Sequence, residues 1–214
     1  MMKGLIFDLD GTLLDSMPAW NQLLDNMLLK RGITPPPDLL DRTKTLGLEN
    51  ATSMVLQEFG LTDDPAEVYQ MFQNEMEYLY CNTIPLKPGV QEFLDAMKGR
   101  LPMAVATATS RVLVEKVLEH HHLTEYFHSI TTVAEVGIGK HDPKVFLTAA
   151  KKLNFPASEC VVFEDSLTAI RSANTAGFHT VAIYEASNLH EQDMLKAEAN
   201  LYVKDFYEVT EKLI

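Results

Sequence analysis

Cysteine is almost absent. The 214-residue chain holds only Cys81 and Cys160, too few for a disulfide framework or a cysteine-based zinc site, and both read as reduced, buried thiols. Positive charge is also short: 18 Lys and Arg stand against 30 Asp and Glu, a formal net charge of -12. Nucleic-acid backbones and anionic membranes need clustered cations, so neither is expected as the main partner, although a small anion remains within reach of a local cation. No stretch approaches the roughly eighteen apolar residues of a membrane span. The amino terminus, with one Lys and a short apolar run broken by Asp8, lacks the pattern of a signal peptide. A soluble cytoplasmic protein, monomeric or a small homo-oligomer, is the expectation. Low-complexity tracts and internal repeats are missing too, and 46% hydrophobic with 22% charged residues is ordinary globular usage, enough for a full core.

What is present begins with Leu5-Ile6-Phe7-Asp8-Leu9-Asp10-Gly11-Thr12, an apolar run ending in two carboxylates two residues apart. In an extended strand such residues share a face, so both leave the strand's carboxyl end before Gly11 turns the chain. Two acids that close repel unless a cation lies between them or one keeps its proton. Asp-x-Asp-Gly also opens a calcium loop, but the twelfth position counted from Asp8 is Ala19 instead of Glu, and Leu13 and Leu14 fill the loop. Calcium in an EF-hand is thereby disfavoured, while a plain strand running into an acidic turn stays open.

Beyond Ser16 the pattern turns helical. Trp20, Leu23, Leu24, Met27 and Leu28 recur at the spacing of one helical face. A helix is expected from near Pro18 until Gly32, followed by the stiff Pro35-Pro36-Pro37 connection and a short helix around 38–42. Met54, Val55 and Phe59, then Val68, Met71, Phe72, Met76 and Leu79, give two more faces. After Pro85, Pro88 and Gly89 short β-rich runs alternate with helices: strands at 102–106, 129–133 (weaker), 160–163, 179–183 and 201–203, helices at 89–99, 110–121, 143–154 and 166–176. That alternation predicts an α/β fold with a parallel sheet. The strand at 4–8 belongs to the same sheet, so a core of residues 1–15 plus 86–214 carries a helical insert at 16–85.

Ligands of such sheets bind beyond the carboxyl ends of the strands. Those ends offer Asp8 and Asp10 after the first strand, Thr107 and Thr109 after the second, Gly139 and Lys140 after the third, and Glu164, Asp165 and Ser166 after the fourth. Each has an ordinary explanation, such as strand filler for Thr107, a solvated loop lysine for Lys140 and a helix N-cap for Asp165 or Ser166. Four polar clusters at four strand ends are harder to leave to chance.

These residues resemble, in order, the four short motifs of the haloacid dehalogenase superfamily of aspartate-nucleophile phosphotransferases. The first motif is similar to Asp8-Leu9-Asp10-Gly11-Thr12, the second to Thr107 closing Ala104-Val105-Ala106, the third to Lys140, and the fourth to Glu164-Asp165-Ser166. The resemblance covers the whole chain and places it with the β-phosphoglucomutase-like branch, which includes many small-metabolite phosphatases. It implies a Rossmann-like parallel-sheet core domain with an inserted all-helical cap domain. It further implies a magnesium site formed by Asp8, Asp165 and the main-chain carbonyl of Asp10, with Glu164 as ligand or outer partner. Asp8 would be the nucleophile and Asp10 the acid/base, while Thr107, Ala108 and Lys140 would hold the phosphoryl group of a small phosphate ester. A phosphatase acting on a sugar or polyol phosphate is the expectation, with a phosphomutase as the alternative. A receiver-like or non-catalytic phospho-acceptor is more remote, because receivers have about half this length and no helical insert.

Some positions depart from the pattern. Relatives commonly follow the third-motif Lys with Pro, any residue, Pro and an acid, whereas here Lys140 precedes His141, Asp142, Pro143 and Lys144. Asp142 and Pro143 still suit a helix start, and His141 and Lys144 read as surface variation beside the site, with substrate contact the alternative. Where β-phosphoglucomutase has a cap Arg for a second phosphate and a His that gates the acid/base, this chain has Asn50 and Trp20, which weakens the mutase alternative. Glu49 and Asn50, read as a loop between cap helices, are specificity candidates. Trp20 is another, although its place on the apolar face also fits core packing. His120-His121-His122 reads as a helix end, because successive helical residues point apart and cannot chelate one ion. Arg111 is open to either the site or solvent.

Overall fold

The computed structural model describes residues 2–213. Six parallel strands, β1 (Gly4–Phe7), β2 (Met103–Thr107), β3 (Phe127–Thr132), β4 (Cys160–Glu164), β5 (His179–Ile183) and β6 (Leu201–Val203), form one sheet in the order β3-β2-β1-β4-β5-β6. The chain leaves β1 toward β2 on one side and later places β4 on the other, so a crevice opens beyond the carboxyl end of β1.

Alternating side chains bury both faces of the sheet, as central parallel strands require. Leu5, Phe7, Val105, Val161 and Phe163 face α5 (Val90–Met97), α6 (Arg111–His120) and α11 (Phe206–Leu213). Ile6, Ala104, Ala106 and Val162 face α8 (Lys144–Lys152) and α9 (Leu167–Thr175), with α7 (Val133–Val136) at the margin. The seventh, eighth and ninth helices thus flank β3 and β4, and α10 (Gln192–Glu198) packs beside α9 between β5 and β6. Phe7 and Phe163 are register partners and stack with centroids 4.6 Å apart at 10°. Their packing fixes the two strand ends from which Asp8 and Glu164 emerge.

Between β1 and α5 the described residues contain no strand, only α1 (Met17–Leu29), α2 (Leu39–Thr43), α3 (Leu48–Glu58) and α4 (Pro65–Asn82). This is a Rossmann-like sheet carrying an all-helical insert. Two adjacent backbone connections join insert to sheet, with the Asp15 N–H donating to the Pro85 carbonyl at 3.0 Å and the Lys87 N–H to the Leu13 carbonyl at 2.9 Å. The insert also rests on α6, where Gln73 bonds Ser110 at 2.8 Å and Glu77 pairs with Lys116. On the other side the Thr45 carbonyl accepts the Lys140 N–H at 3.1 Å.

Several expected elements shift. The third strand begins at Phe127 instead of Ser129, as an edge strand whose register with β2 slips between Met103 and Ala104. Its Phe-His-Ser opening carries too little alternation to be read as strand. The helix first legible at Met54 begins at Leu48, because Gly47 adopts φ +84° and redirects the chain. Glu49 and Asn50 therefore sit in the first turn of α3 and not in a loop. Asp142 Oδ1 accepts the Lys144 N–H at 2.9 Å and so serves the start of α8. His120 closes α6, and His122 turns the chain at φ +58°.

Candidate active site

Asp8 follows β1 directly and is buried, its N–H donating to the Phe163 carbonyl at 3.0 Å. Lys140 reaches between the neighbouring strand ends and donates to both Asp8 Oδ1 and Glu164 Oε1. The other oxygen of Glu164 accepts the N–H groups of Asp165 (3.0 Å) and Ser166 (2.9 Å), which locks the turn after β4. Gly11 is required beside this turn. It has φ +78°, and a Cβ there would stand 2.5 Å from Asp165 Oδ2.

Ligand atoms of Asp8, Glu164 and Asp165 all lie within 4.8 Å of one another. Three buried carboxylates with one lysine among them leave negative charge uncompensated. Burial, opposed by Lys140 and reinforced by Glu164, Asp165 and Asp10, holds the Asp8 carboxyl well above the usual range. Asp165 is pushed up to about 7, by burial first and Glu164 second. For Lys140, burial favours the neutral amine but is outweighed by the charges and hydrogen bonds of Asp8 and Glu164, so it stays an ammonium. A hard cation bound by oxygen ligands would relieve this repulsion, and the all-oxygen donor set fits one.

Asp10 is treated differently. Its Oδ1 accepts from Ser16 Oγ at 2.6 Å, Trp20 Nε1 at 3.1 Å and the Tyr80 hydroxyl at 2.5 Å, and its Oδ2 from Thr109 Oγ1. Burial, followed by the charge and hydrogen bond of Asp10, raises the Tyr80 phenol well above its ordinary value, so it remains a donor. Thr107 closes β2, with its Oγ1 accepting the Thr109 N–H at 3.1 Å. Ser166 Oγ is buried beside the carboxylates without a partner.

These groups open on a cavity of about 70 Å³. Asp8, Asp10, Thr107, Ala108, Lys140, Glu164 and Asp165 line its sheet side, and Met17, Trp20, Leu24, Leu40, Lys44 and Leu48 much of its helical side. The structure thus gathers the strand-end residues around one space together with Trp20, whose indole N–H is committed to Asp10 and Tyr80. Glu49 and Asn50 are exposed and do not line the cavity, and the Asn50 amide returns to the Leu46 carbonyl at 3.2 Å. Arg111 faces solvent, pairing with Glu135 at 3.0 Å. His141 and Lys144 are exposed.

Sequence reading missed Ser16, Lys44, Tyr80 and Asn188. Tyr80 is one apolar-face residue of α4, 70 positions from Asp10, and no local pattern distinguishes it from packing. Lys44 is a cation of the helical insert that does reach the cavity, where the charge of Asp165 and contacts with Asp41 (2.7 Å) and Glu191 (3.5 Å) offset its own.

A family model described as haloacid dehalogenase-like hydrolase matches residues 2–177. The fructose-1-phosphate phosphatase YqaB of Escherichia coli (strain K12) is 30% identical over 185 residues, covering 84% of this chain and 95% of that protein. The β-phosphoglucomutase of Bacillus subtilis (strain 168) is 26% identical over 205 residues, covering 91% of this chain and 88% of that one. Among solved structures, CbbY from Rhodobacter sphaeroides in complex with phosphate shares the fold at a TM-score of 0.82 and 23% identity, over 98% of this chain and 96% of that one.

Proposed function

The chain belongs to the haloacid dehalogenase-like hydrolases, and from that premise we propose that it is a magnesium-dependent phosphatase of a small phosphorylated metabolite, sugar- or polyol-phosphate-like, working through an aspartyl-phosphate on Asp8. The observation that carries this reading is the opposite environment of two carboxylates two residues apart. Asp8 lies in a cation-poor carboxylate cluster against Lys140, whereas Asp10 is encircled by four neutral donors from both sheet and insert. A cation that neutralises the cluster would leave Asp8 the ionised carboxylate against Lys140 that a nucleophile needs, while Asp10, outside the cluster and fixed by its four partners, is placed to exchange a proton with the leaving group.

Phosphate monoesters resist attack because ester and nucleophile are both anionic, so catalysis rests on charge neutralisation and positioning. Magnesium held by Asp8, Asp165 and the main-chain carbonyl of Asp10 supplies that neutralisation when bound. Glu164 has both oxygens engaged by Lys140 and by two N–H groups, which assigns it to supporting this site from behind. Lys140, the Thr107 hydroxyl and the Ala108 N–H hold the phosphoryl oxygens. Asp8 attacks phosphorus, Asp10 gives its proton to the departing alkoxide, and Asp10 then takes a proton from the water that cleaves the acyl phosphate. The unbonded thiols of Cys81 and Cys160 suit a cytoplasmic location.

A mutase must grip a second phosphate. Lys44 is the insert cation at the cavity, and it is already engaged by Asp41, Glu191, the Asn188 amide and the charge of Asp165, so hydrolysis is the better-supported outcome. The test is phosphate release from a panel of sugar, polyol and nucleotide phosphates beside Asp8→Asn. Release abolished by the substitution is expected, and turnover retained in the variant would remove Asp8 as nucleophile. Asp10→Asn should keep activity on p-nitrophenyl phosphate, whose leaving group needs little protonation, and lose it on alkyl phosphates. Equal losses on both would refute the acid role.

A further inference from the structure

Asp165 is held from a direction that the phosphoryl-transfer residues do not explain. After β5, the turn Ala186–Glu191 brings in Asn188, 1% exposed, whose Nδ2 donates to the Asp165 carbonyl at 2.9 Å and to Asp165 Oδ2 at 2.8 Å. Its Oδ1 accepts from Lys44 Nζ at 2.7 Å. An ammonium only donates, and a carboxylate only accepts, so this pair of neighbours permits one orientation of the amide. Turned over, the amide would set its NH2 against the ammonium and its oxygen against the carboxylate.

Lys44 belongs to the end of α2, in the helical insert, whereas Asp165 belongs to the sheet domain. The lysine side chain is only 7% exposed and is fixed by Asp41 at 2.7 Å. The turn that carries Asn188 is fixed in its own right, since Glu185 accepts the Ser187 N–H at 3.2 Å and pairs with buried Lys87 at 2.5 Å. A continuous set of hydrogen bonds therefore runs from the insert, through Asn188, to the carboxylate.

We propose that Lys44 and Asn188 are positioning residues that, through Asp165, set the cation affinity of the site, so that a residue of the insert completes a cation site on the sheet. This rests on the reading of Asp165 as a cation ligand. Residues behind metal ligands typically change affinity 10–100-fold when removed. By thermodynamic reciprocity, cation binding favours the docked insert by the same factor by which docking strengthens cation binding.

The test is magnesium binding to the full chain by isothermal titration calorimetry, with the emission of the only tryptophan, Trp20, followed in parallel. Asn188→Ala and Lys44→Met should each weaken magnesium binding about tenfold or more, and the midpoint of the Trp20 response should shift by the same factor. The double variant should bind no more weakly than Asn188→Ala, because Lys44 acts through Asn188. Lys44→Met creates no buried void around Asn188 and keeps the test valid if Asn188→Ala folds poorly. Unchanged affinity in Lys44→Met would overturn the proposal. Losses that add in the double variant would also overturn it, by showing that Lys44 does not act through Asn188, and so would tighter magnesium binding in Lys44→Met, which would leave Lys44 only the repulsion between its ammonium and the cation. Asp165→Asn separates the underlying reading: wild-type magnesium affinity in that variant would remove Asp165 as a ligand and this proposal with it.

Discussion

Gly11→Ala offers a sharp measurement, because two costs act at that position and a second glycine isolates one of them. Gly11 has φ +78°, and a Cβ there would meet Asp165 Oδ2 at 2.5 Å, Asp165 Cγ at 2.7 Å and Met17 Cγ at 3.0 Å. Gly99 has a similar φ of +74° and nothing within 4 Å. A left-handed backbone costs an L-residue about 1–2 kcal/mol, offset by about 0.4–1 kcal/mol from a stiffer unfolded chain. Gly99→Ala should therefore lose at most about 1.5 kcal/mol, about 3–6 °C in Tm for a chain of this size. Gly11→Ala bears the same cost and must also displace the Asp165 carboxylate, which Asn188 holds in place. Its Tm should fall further, and its magnesium affinity should fall about tenfold or more, while Gly99→Ala binds as the wild type does. Differential scanning fluorimetry and calorimetry give both numbers. Equal Tm losses in the two variants, or undiminished magnesium affinity in Gly11→Ala, would refute the close approach of this turn to the cation site.

Without a bound cation, the carboxylate repulsion should register in the stability of the protein. The folded pKa of Asp165, about 7 against an ordinary 3.8, means that the native state binds more protons than the unfolded state between those values, so metal-free stability falls as pH rises from about 4 to 7. The Tm gain on adding magnesium should accordingly be larger at pH 8 than at pH 5, and a gain that is equal at both would contradict the charge deficit. Tyr80→Phe removes the 2.5 Å donor to Asp10. Asp10 then keeps three partners instead of four, and because a mispositioned acid/base forfeits part of the roughly 10²–10⁴-fold that proton transfer contributes, kcat/KM on an alkyl phosphate should fall about tenfold or more, with a smaller loss on p-nitrophenyl phosphate. Equal losses would mean that Tyr80 serves packing alone.

The strand-end residues were legible because each belongs to a short local pattern: an apolar run, then a polar residue, then a turn or helix start. Asp8, Asp10, Thr107, Lys140, Glu164 and Asp165 could be named that way before any geometry was known. Residues of the helical insert give no such signal. Trp20 and Tyr80 lie on apolar helical faces, where the same residue type serves packing or a hydrogen bond to Asp10, and only the neighbour decides. Glu49 and Asn50 looked like loop residues because the apolar period of α3 is plain only from Met54. The left-handed Gly47 starts the helix earlier and leaves both exposed.

The sequence by itself determined the alternation of strands and helices, the long helical interruption after the first strand and the family, since these depend on hydrophobic period and on motifs a few residues long. Tertiary structure alone decided which distant residues share the cavity. Asn188 reaches Asp165 across 23 positions and Lys44 reaches Asn188 across 144. Those meetings follow from the order β3-β2-β1-β4-β5-β6 and from the docking of the insert on the sheet. No local pattern encodes them, because hydrogen bonds between separate elements form wherever packing brings a donor to an acceptor.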